Sequence, residues 1–354
     1  MKIAIDITPL ESGHQDRGVG QYTKLLIKAL QRYKNGHSYS FFTRGQKVPE
    51  HADLVHYPYF DPFFLTLPLL KIKPTIVTVH DLIPIRFSDH FARGMRGEFK
   101  WQVQKLSLRG ATRIIADSNA SRADIHELVR YSSNHIDVIH LAPSVIFRSL
   151  GYSAELERAK KTYHLSEQFI LYVGDVNWNK NVHGLLSAFR SVKAQCSKFH
   201  KLQLVLVGRA FRNDSLSENQ QIRSIIQSFK LTDEVRVPGF VPDEDLVALY
   251  NLASGYVQPS FAEGFGLPVL EAMASGCPVV ASRATSIDEI AGPAIRVDPH
   301  DHASIAQGIK SVLELTDAKR RQRIKEGNAW VRQFSWHKVA KETIASYEKA
   351  LGRI

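Results

Sequence analysis

The sequence predicts an α/β protein of two doubly wound, parallel-sheet domains, each of the Rossmann-like kind. Three observations carry the prediction. Short β-branched runs alternate with longer helix-like segments from end to end. Several runs are apolar throughout, as strands buried on both faces of a parallel sheet are. The 354 residues leave room for two domains at about 150 residues each.

Taken in order, the first series of strands is read at 2–7, 38–42, 54–57, 75–79, 113–117 and 136–139, with a helix over 20–30. The second series is read at 169–173, 203–207, 234–237, 255–258, 279–281 and 294–297. Helical patterns lie between them at 182–193, 243–251 and 268–274. Patterning fades over 142–168, through Pro143 and a charged stretch at 155–161. The domains are therefore read as 1–165 and 166–335, followed by a closing helix over 336–354.

Composition narrows the function. With 44% hydrophobic and 23% charged residues the chain is an ordinary globular one, not a disordered or collagenous one. Cys196 and Cys277 are too few for a disulfide framework or a four-thiolate zinc site. A net charge of +11 favours a polyanion: nucleic acid, an anionic membrane or a phosphorylated small molecule. Nucleic acid is disfavoured, because Lys and Arg are spread along the chain without an aromatic stacking motif. No leader is read at Met1, and the greasiest stretch, 63–70, falls far short of the ~20 residues that span a bilayer. A cytoplasmic chain is expected, with peripheral attachment to the inner face of the plasma membrane left open.

Ligands of doubly wound sheets bind beyond the carboxyl ends of the strands. After the first strand, Gly18 and Gly20 precede a helix, which suits either an anion site or a plain turn. A dinucleotide fingerprint would need a third glycine where Thr23 stands, so hydride transfer on a nicotinamide is disfavoured. His80 ends the fourth strand, as a cleft residue or a core histidine. Lys180 follows the turn at Gly174, just before a helix; it is either a phosphate ligand or a solvated lysine. Arg209 repeats that placement one strand on.

The richest stretch runs from Pro259 to Pro278. Pro268 suits a first helical turn, Gly276 a left-handed helix end, and Pro278 blocks continuation. Gly264 and Gly266 thin the loop before that helix. Amide groups at Gly266 and Leu267 would face an anion, aided by the helix dipole. Glu263 sits in the loop and Glu271 about a turn into the helix, where a plain first-turn acid would also sit.

Glu263 and Glu271, enclosing Gly-Phe-Gly-Leu-Pro-Val-Leu, resemble the Glu pair of glycosyltransferase family 4, a family of retaining enzymes with the GT-B fold. Weaker likenesses follow in the family's order: the Gly18/Gly20 loop, His80-Asp81, Asp117-Ser118, Gly174 to Asn181, Val207-Gly208, Gly239-Phe240-Val241 and Phe334-Ser335-Trp336. The resemblance implies two Rossmann-like domains facing a central cleft, the first binding acceptor and the second nucleotide sugar. It implies that Glu263 contacts the donor sugar and Glu271 the ribose. Lys180, with the amides of Gly266 and Leu267, would hold the diphosphate, beside Gly264 and Phe265. Gly239, Phe240 and Val241 would lie by the base, Gly18 and Gly20 over the phosphates, and His80 at the transferred sugar. Glu263, His80 and Lys180 are thus the catalytic candidates. The final helix would cross back to the first domain.

The chain departs from the family where Asn179 and Asp175 stand at positions that are often basic; Arg209 is the expected substitute cation. Asp243-Glu244-Asp245 has the spelling of a metal-binding Asp-x-Asp, but it follows Pro242 and opens a helix, so first-turn capping explains it better. No metal and no cofactor are expected, the nucleotide sugar being a co-substrate. With no well-placed carboxylate nucleophile, retention suggests front-face attack.

The phrasing around 79–84 and 172–189 is similar to bacterial mannosyltransferases of polysaccharide assembly. GDP-mannose is the expected donor, a UDP-sugar the alternative, and a glycan or lipid-linked molecule the expected acceptor. A GT-B sugar-nucleotide epimerase would share the site without needing an acceptor. Residues 1–150 hold most of the excess charge. Within them a basic stretch from Arg86 to Arg113, with Phe87, Phe91, Phe99 and Trp101 interleaved, suits an anionic membrane surface as a further partner, or an ordinary surface helix.

Overall fold

The computed structural model describes residues 1–11, 18–33, 36–195 and 197–354. Gln15, Asp16 and Arg17, ahead of Gly18, and Cys196 lie outside the described residues. The chain divides into two compact units. One is Met1–Ala142 with Phe334–Ile354, the other Pro143–Gln333.

In the first unit six parallel strands form one sheet: β1 (Lys2–Asp6), β2 (Ser38–Phe42), β3 (Leu54–Tyr57), β4 (Thr75–Val79), β5 (Arg113–Ala116) and β6 (Ile136–Val138). Their order is β2-β1-β3-β4-β5-β6, so the winding reverses between β1 and β3. Successive residues of a strand face opposite sides. Val55 and Tyr57 join Ala4, Phe42, Val77 and Val79 on one face, where Trp101 and Leu108 of the helix Gly94–Arg109 pack. His56, between them, points to the other face and meets the Tyr347 hydroxyl of the last helix, Trp336–Ala350, at 2.8 Å.

The second unit holds β7 (Phe169–Val173), β8 (Gln203–Val207), β9 (Val235–Gly239), β10 (Gly255–Gln258), β11 (Val279–Ser282) and β12 (Ile295–Val297). All pair in parallel in the order β12-β11-β10-β7-β8-β9, with the reversal between β7 and β10. Each crossover here carries a helix: Val182–Gln195, Ser217–Ser228, Asp243–Leu252, Leu267–Ala274 and Ile287–Ile290. In the first unit the crossovers 43–53 and 58–74 carry none.

The twelve strands fall within two residues of their expected places. Three expectations need correction. The first division falls between Ala142 and Pro143, not at 165, and the second between Gln333 and Phe334. The charged stretch is a helix, Ala154–Thr162, tied to the second unit: Arg158 and the Tyr163 hydroxyl reach Asp245 at 2.5 and 2.7 Å. The helix expected from residue 20 starts at Gly18, so Gly18 too lies inside it, in Gly18–Arg32.

The basic stretch is also less bare than its sequence suggests. Arg86 grips Asp124 and both oxygens of Glu127, and Arg113 grips Asp137. Trp101 is buried in the core, whereas Phe99 is 70% exposed. No helix among the described residues is long and apolar enough to cross a membrane.

Candidate functional site

The second sheet's switch point lies between β7 and β10, and the loops leaving those strands hold the best-assembled polar group of that unit. From β7 the chain passes Gly174 and a short 3-10 turn, Trp178–Lys180, to Asn181 in the left-handed region at φ 53°. The Asn181 side chain closes this turn: its Nδ2 donates to the carbonyls of Pro259 and Pro299 at 3.0 and 2.8 Å, and its Oδ1 accepts from Gly184 N. Asn179, at a position often basic in the resembled family, is only 4% exposed. Its Nδ2 donates to Ala262 O at 2.9 Å, and its carbonyl accepts from Phe261 N at 2.8 Å. Asn179 and Asn181 stitch the β7 loop to the β10 loop.

Held by that stitching, Lys180 Nζ lies 2.6 Å from Glu263 Oε2. The carboxylate is 8% exposed and its other oxygen accepts from Gln258 Nε2 and Ser260 Oγ, both at 2.7 Å. Its backbone is fixed as well. Glu263 N donates to Thr285 Oγ1 at 3.0 Å, and Ser286 Oγ donates to Glu263 O at 2.8 Å. A charge this buried must be paired and hydrogen-bonded to be tolerable, and here both oxygens are occupied.

Immediately after, Gly266 takes φ +96° and the helix Leu267–Ala274 begins, with Pro268 in its first turn. A Cβ at Gly266 would come within 2.5 Å of Ile287 Cδ1, so the loop can be this thin only with glycine there. The first-turn amides have no intrahelical acceptor and lend partial positive charge to whatever lies before them. Gly276, at φ +74°, ends the helix as expected, with Cys277 N reaching back to Ala272 O at 2.9 Å. Glu271 accepts from the Tyr250 hydroxyl at 3.2 Å. Burial, added to the charge of Asp243, pushes its carboxyl up to about 8 despite that bond.

One strand over, Gly208 must be glycine because a Cβ would overlap the carbonyl oxygen of Gly174. Arg209 follows it, exposed, with its guanidinium 4.9 Å from the centre of the Phe240 ring, itself 54% exposed. Gly239, at φ +82°, ends β9 beside Arg212, and Val241 is buried. The structure thus brings Lys180, Glu263 and the start of the 267–274 helix into direct association. Arg209 and Phe240 form a second, separate pair.

Asp245 of the Asp-x-Asp spelling is engaged by Arg158 and Tyr163. Asp301 caps the helix His302–Leu313 by accepting from Ala303 N. Among the described residues, no three or more His, Cys, Asp or Glu side chains are grouped to hold a metal ion.

In the first unit His80, just past β4, has Nδ1 2.6 Å from Asp117 Oδ2 and Nε2 3.2 Å from the carbonyl of Pro58. Both neighbours offer acceptors, which favours a proton on each ring nitrogen and so the charged form of the ring. Burial opposes that charge. Asp117, Asp81 and the Pro58 carbonyl outweigh it and raise the pKa. Tyr22 sets its ring edge-on at 4.7 Å. His56 is the contrary case: burial, then the charge of His80, push it down to about 3.

The sequence reading missed Gln258, Ser260, Thr285, Ser286 and the pairing role of Asp117. Gln258 had a signal, a polar residue closing the apolar strand Gly255–Gln258. The others are ordinary loop residues until the strands are laid side by side.

Comparison with known proteins shows the family and the fold. Residues 153–330 match the family described as glycosyl transferases group 1, and 47–142 match glycosyltransferase family 4. O-antigen chain mannosyltransferase B of Escherichia coli is 33% identical, over 98% of this chain and 92% of that protein. Among solved structures, sucrose-phosphate synthase from Thermosynechococcus elongatus superposes with a TM-score of 0.75 at 20% identity, covering all of both chains. Anabaena HepE in complex with UDP-glucose gives 0.74 at 18% identity, over 99% of this chain and 100% of that one. At such identities these two structures speak for the fold, which is GT-B.

Proposed function

The chain belongs to the glycosyltransferases of group 1 and family 4, and from that premise we propose that it moves mannose from GDP-mannose onto a glycan or lipid-linked acceptor in cell-surface polysaccharide synthesis. The observation that carries this reading is the Lys180–Glu263 pair at the β7/β10 switch point, beside the N-terminus of the helix Leu267–Ala274. An ammonium has three donors, so one bond to Glu263 is compatible with another to a diphosphate oxygen. Lys180 and the first-turn amides stabilise the charge that grows on the departing diphosphate. Glu263 receives a sugar hydroxyl and Glu271 the ribose hydroxyls. The 239–241 segment lies by the base, and Arg209, over the Phe240 ring, supplies the second cation to the diphosphate. Gly18 and Gly20 face the phosphates. His80 meets the transferred sugar, its Nε2–H leaving the Pro58 carbonyl to do so.

Configuration is retained by front-face attack. The acceptor oxygen bonds to the anomeric carbon as the bond to the phosphate oxygen breaks, and that oxygen takes the acceptor's proton. The products are the glycoside and the nucleoside diphosphate. Glu263, with both oxygens hydrogen-bonded, is a poor nucleophile, and trapping a glycosyl adduct on it would refute the scheme. The reaction needs no metal, so EDTA should leave the rate unchanged. Docking on the inner face of the plasma membrane belongs to the same reading.

The test is nucleotide release from a panel of GDP- and UDP-sugars, with product masses. GDP-mannose should give the fastest release and an acceptor heavier by one hexose. A UDP-sugar turning over faster would replace the donor, and a product of unchanged donor mass would indicate an epimerase.

A further inference from the structure

The strand β10 is buried along its whole length, yet it ends in a polar residue, Gln258. A buried primary amide needs partners for one oxygen and two N–H groups. Gln258, 2% exposed, has all three. Its side-chain oxygen accepts from the Tyr256 hydroxyl. Its Nε2 donates to Ser260 Oγ and to Glu263 Oε1, both at 2.7 Å. Alternate residues of a strand face the same side, so Tyr256 and Gln258 form one polar row leading to the loop that carries Glu263.

The Tyr256 hydroxyl decides which way round the amide sits. Its ring is fully buried and packs edge to face with Tyr250 at 5.6 Å. Burial, then the neighbouring Tyr172, Glu263 and Glu271, hold that hydroxyl protonated, so it stays a donor. Turned over, the amide would set its oxygen against Glu263 Oε1 with no proton between them. Ser260 accepts from the amide and turns its own proton to Glu263 Oε1, at 2.7 Å. A carboxylate has about four acceptor positions, two on each oxygen. Gln258 and Ser260 fill those of Oε1. Among the described residues Oε2 takes Lys180 alone, at 2.6 Å. One position is left, on the oxygen beside the ammonium. The pair is more open on that side, the lysine side chain being 20% exposed against 8% for the glutamate.

We propose that Gln258, oriented by Tyr256, is a positioning residue that fills Oε1 of Glu263 and leaves the carboxylate one vacant acceptor position, so that Glu263 selects the donor sugar by a single hydroxyl. A carboxylate free to turn could bridge two neighbouring hydroxyls of a hexose and would discriminate poorly between them. One that is held by Gln258, Ser260 and Lys180 can take only one, and only from the Oε2 side. The inference rests on the transferase reading above and adds to it the residue that makes Glu263 selective.

The test is calorimetry on the full chain with GDP, GDP-mannose and the monodeoxy analogues of its sugar, and in parallel with UDP, UDP-glucose and the matching analogues. Wild type is compared with Glu263→Gln, Gln258→Met and Tyr256→Phe. In the wild type, removing the hydroxyl that Glu263 takes should weaken binding about tenfold or more, the worth of a hydrogen bond to a charged group. In Glu263→Gln that penalty should collapse to about threefold or less at one sugar position and at no other. Gln258→Met should reduce the same penalty to a similar extent, and Tyr256→Phe should lower it in the same direction. The bare nucleoside diphosphate should bind all four proteins alike. A penalty lost at two positions in Glu263→Gln, or at none, would overturn the single vacancy. Wild-type discrimination in Gln258→Met and Tyr256→Phe would overturn the positioning role. So would nucleoside diphosphate affinity falling in step, since the two side chains would then merely support the fold. Failure of the wild type to bind either series would sink the transferase reading and this inference together, whereas donor binding indifferent to Gln258 sinks the inference alone.

Discussion

The two sheets are wound alike but finished differently at their switch points. In the second unit every crossover has its helix, and the switch-point loops are sewn together by Asn179 and Asn181 around one buried ion pair. In the first unit two crossovers lack helices and the switch point opens into a cavity with an apolar lip. A pre-organised site suits a ligand whose diphosphate and ribose never change. The fold supplies the position of both switch points; the crossovers decide what each can hold.

The contrast can be broken at its most rigid point first. Lys180→Ala should lower kcat about 10²- to 10³-fold and raise the donor Km, as loss of a donor to developing charge does. Steady-state kinetics with unchanged constants would remove Lys180 from the site. Glycine substitutions should then show the difference in packing. Gly208→Ala drives a Cβ into the Gly174 carbonyl, a backbone atom that cannot swing aside. A loss of about 1–3 kcal/mol is expected in a denaturant titration.

Glu271 sharpens the comparison through pH. Its carboxyl is raised to about 8 by burial, so folding stability falls as pH climbs from its ordinary 4.5 to about 8, and Glu271→Gln should flatten that fall. If the carboxylate is the form that accepts the ribose hydroxyls, donor affinity should rise about tenfold per pH unit below 8. A flat donor Kd between pH 6 and 8 would take Glu271 off the ribose. The smallest effect is expected at Gly18. A Cβ there meets nothing within 4 Å, and it sits in a helix. Gly18→Ala should add about 0.5–1 kcal/mol of stability. If it nevertheless raises the donor Km, the backbone at Gly18 approaches the phosphates.

What was legible in the sequence follows from the range of each interaction. Strands were read to within two residues because burial on both faces leaves an unbroken apolar run. The helix end at Gly276 was read because a left-handed residue needs glycine and Pro278 cannot continue a helix. Ala154–Thr162 was missed because it buries little beyond Ala159 and looks like a solvated linker. Lys180 and Glu263 were each picked out, but their bond spans 83 positions. Asn179 was weighed as a departure from a basic pattern, whereas its amide works inward, on Ala262, rather than toward a ligand.

The Tyr347–His56 hydrogen bond bears on how the protein is made. The first sheet to leave the ribosome waits for the last helix to be translated, since that helix covers one of its faces. The second unit, lying wholly between, has all its strands translated before that helix. A premature stop near residue 334 should therefore spare a folded second unit and strand its elder neighbour, with His56 bared on an apolar sheet.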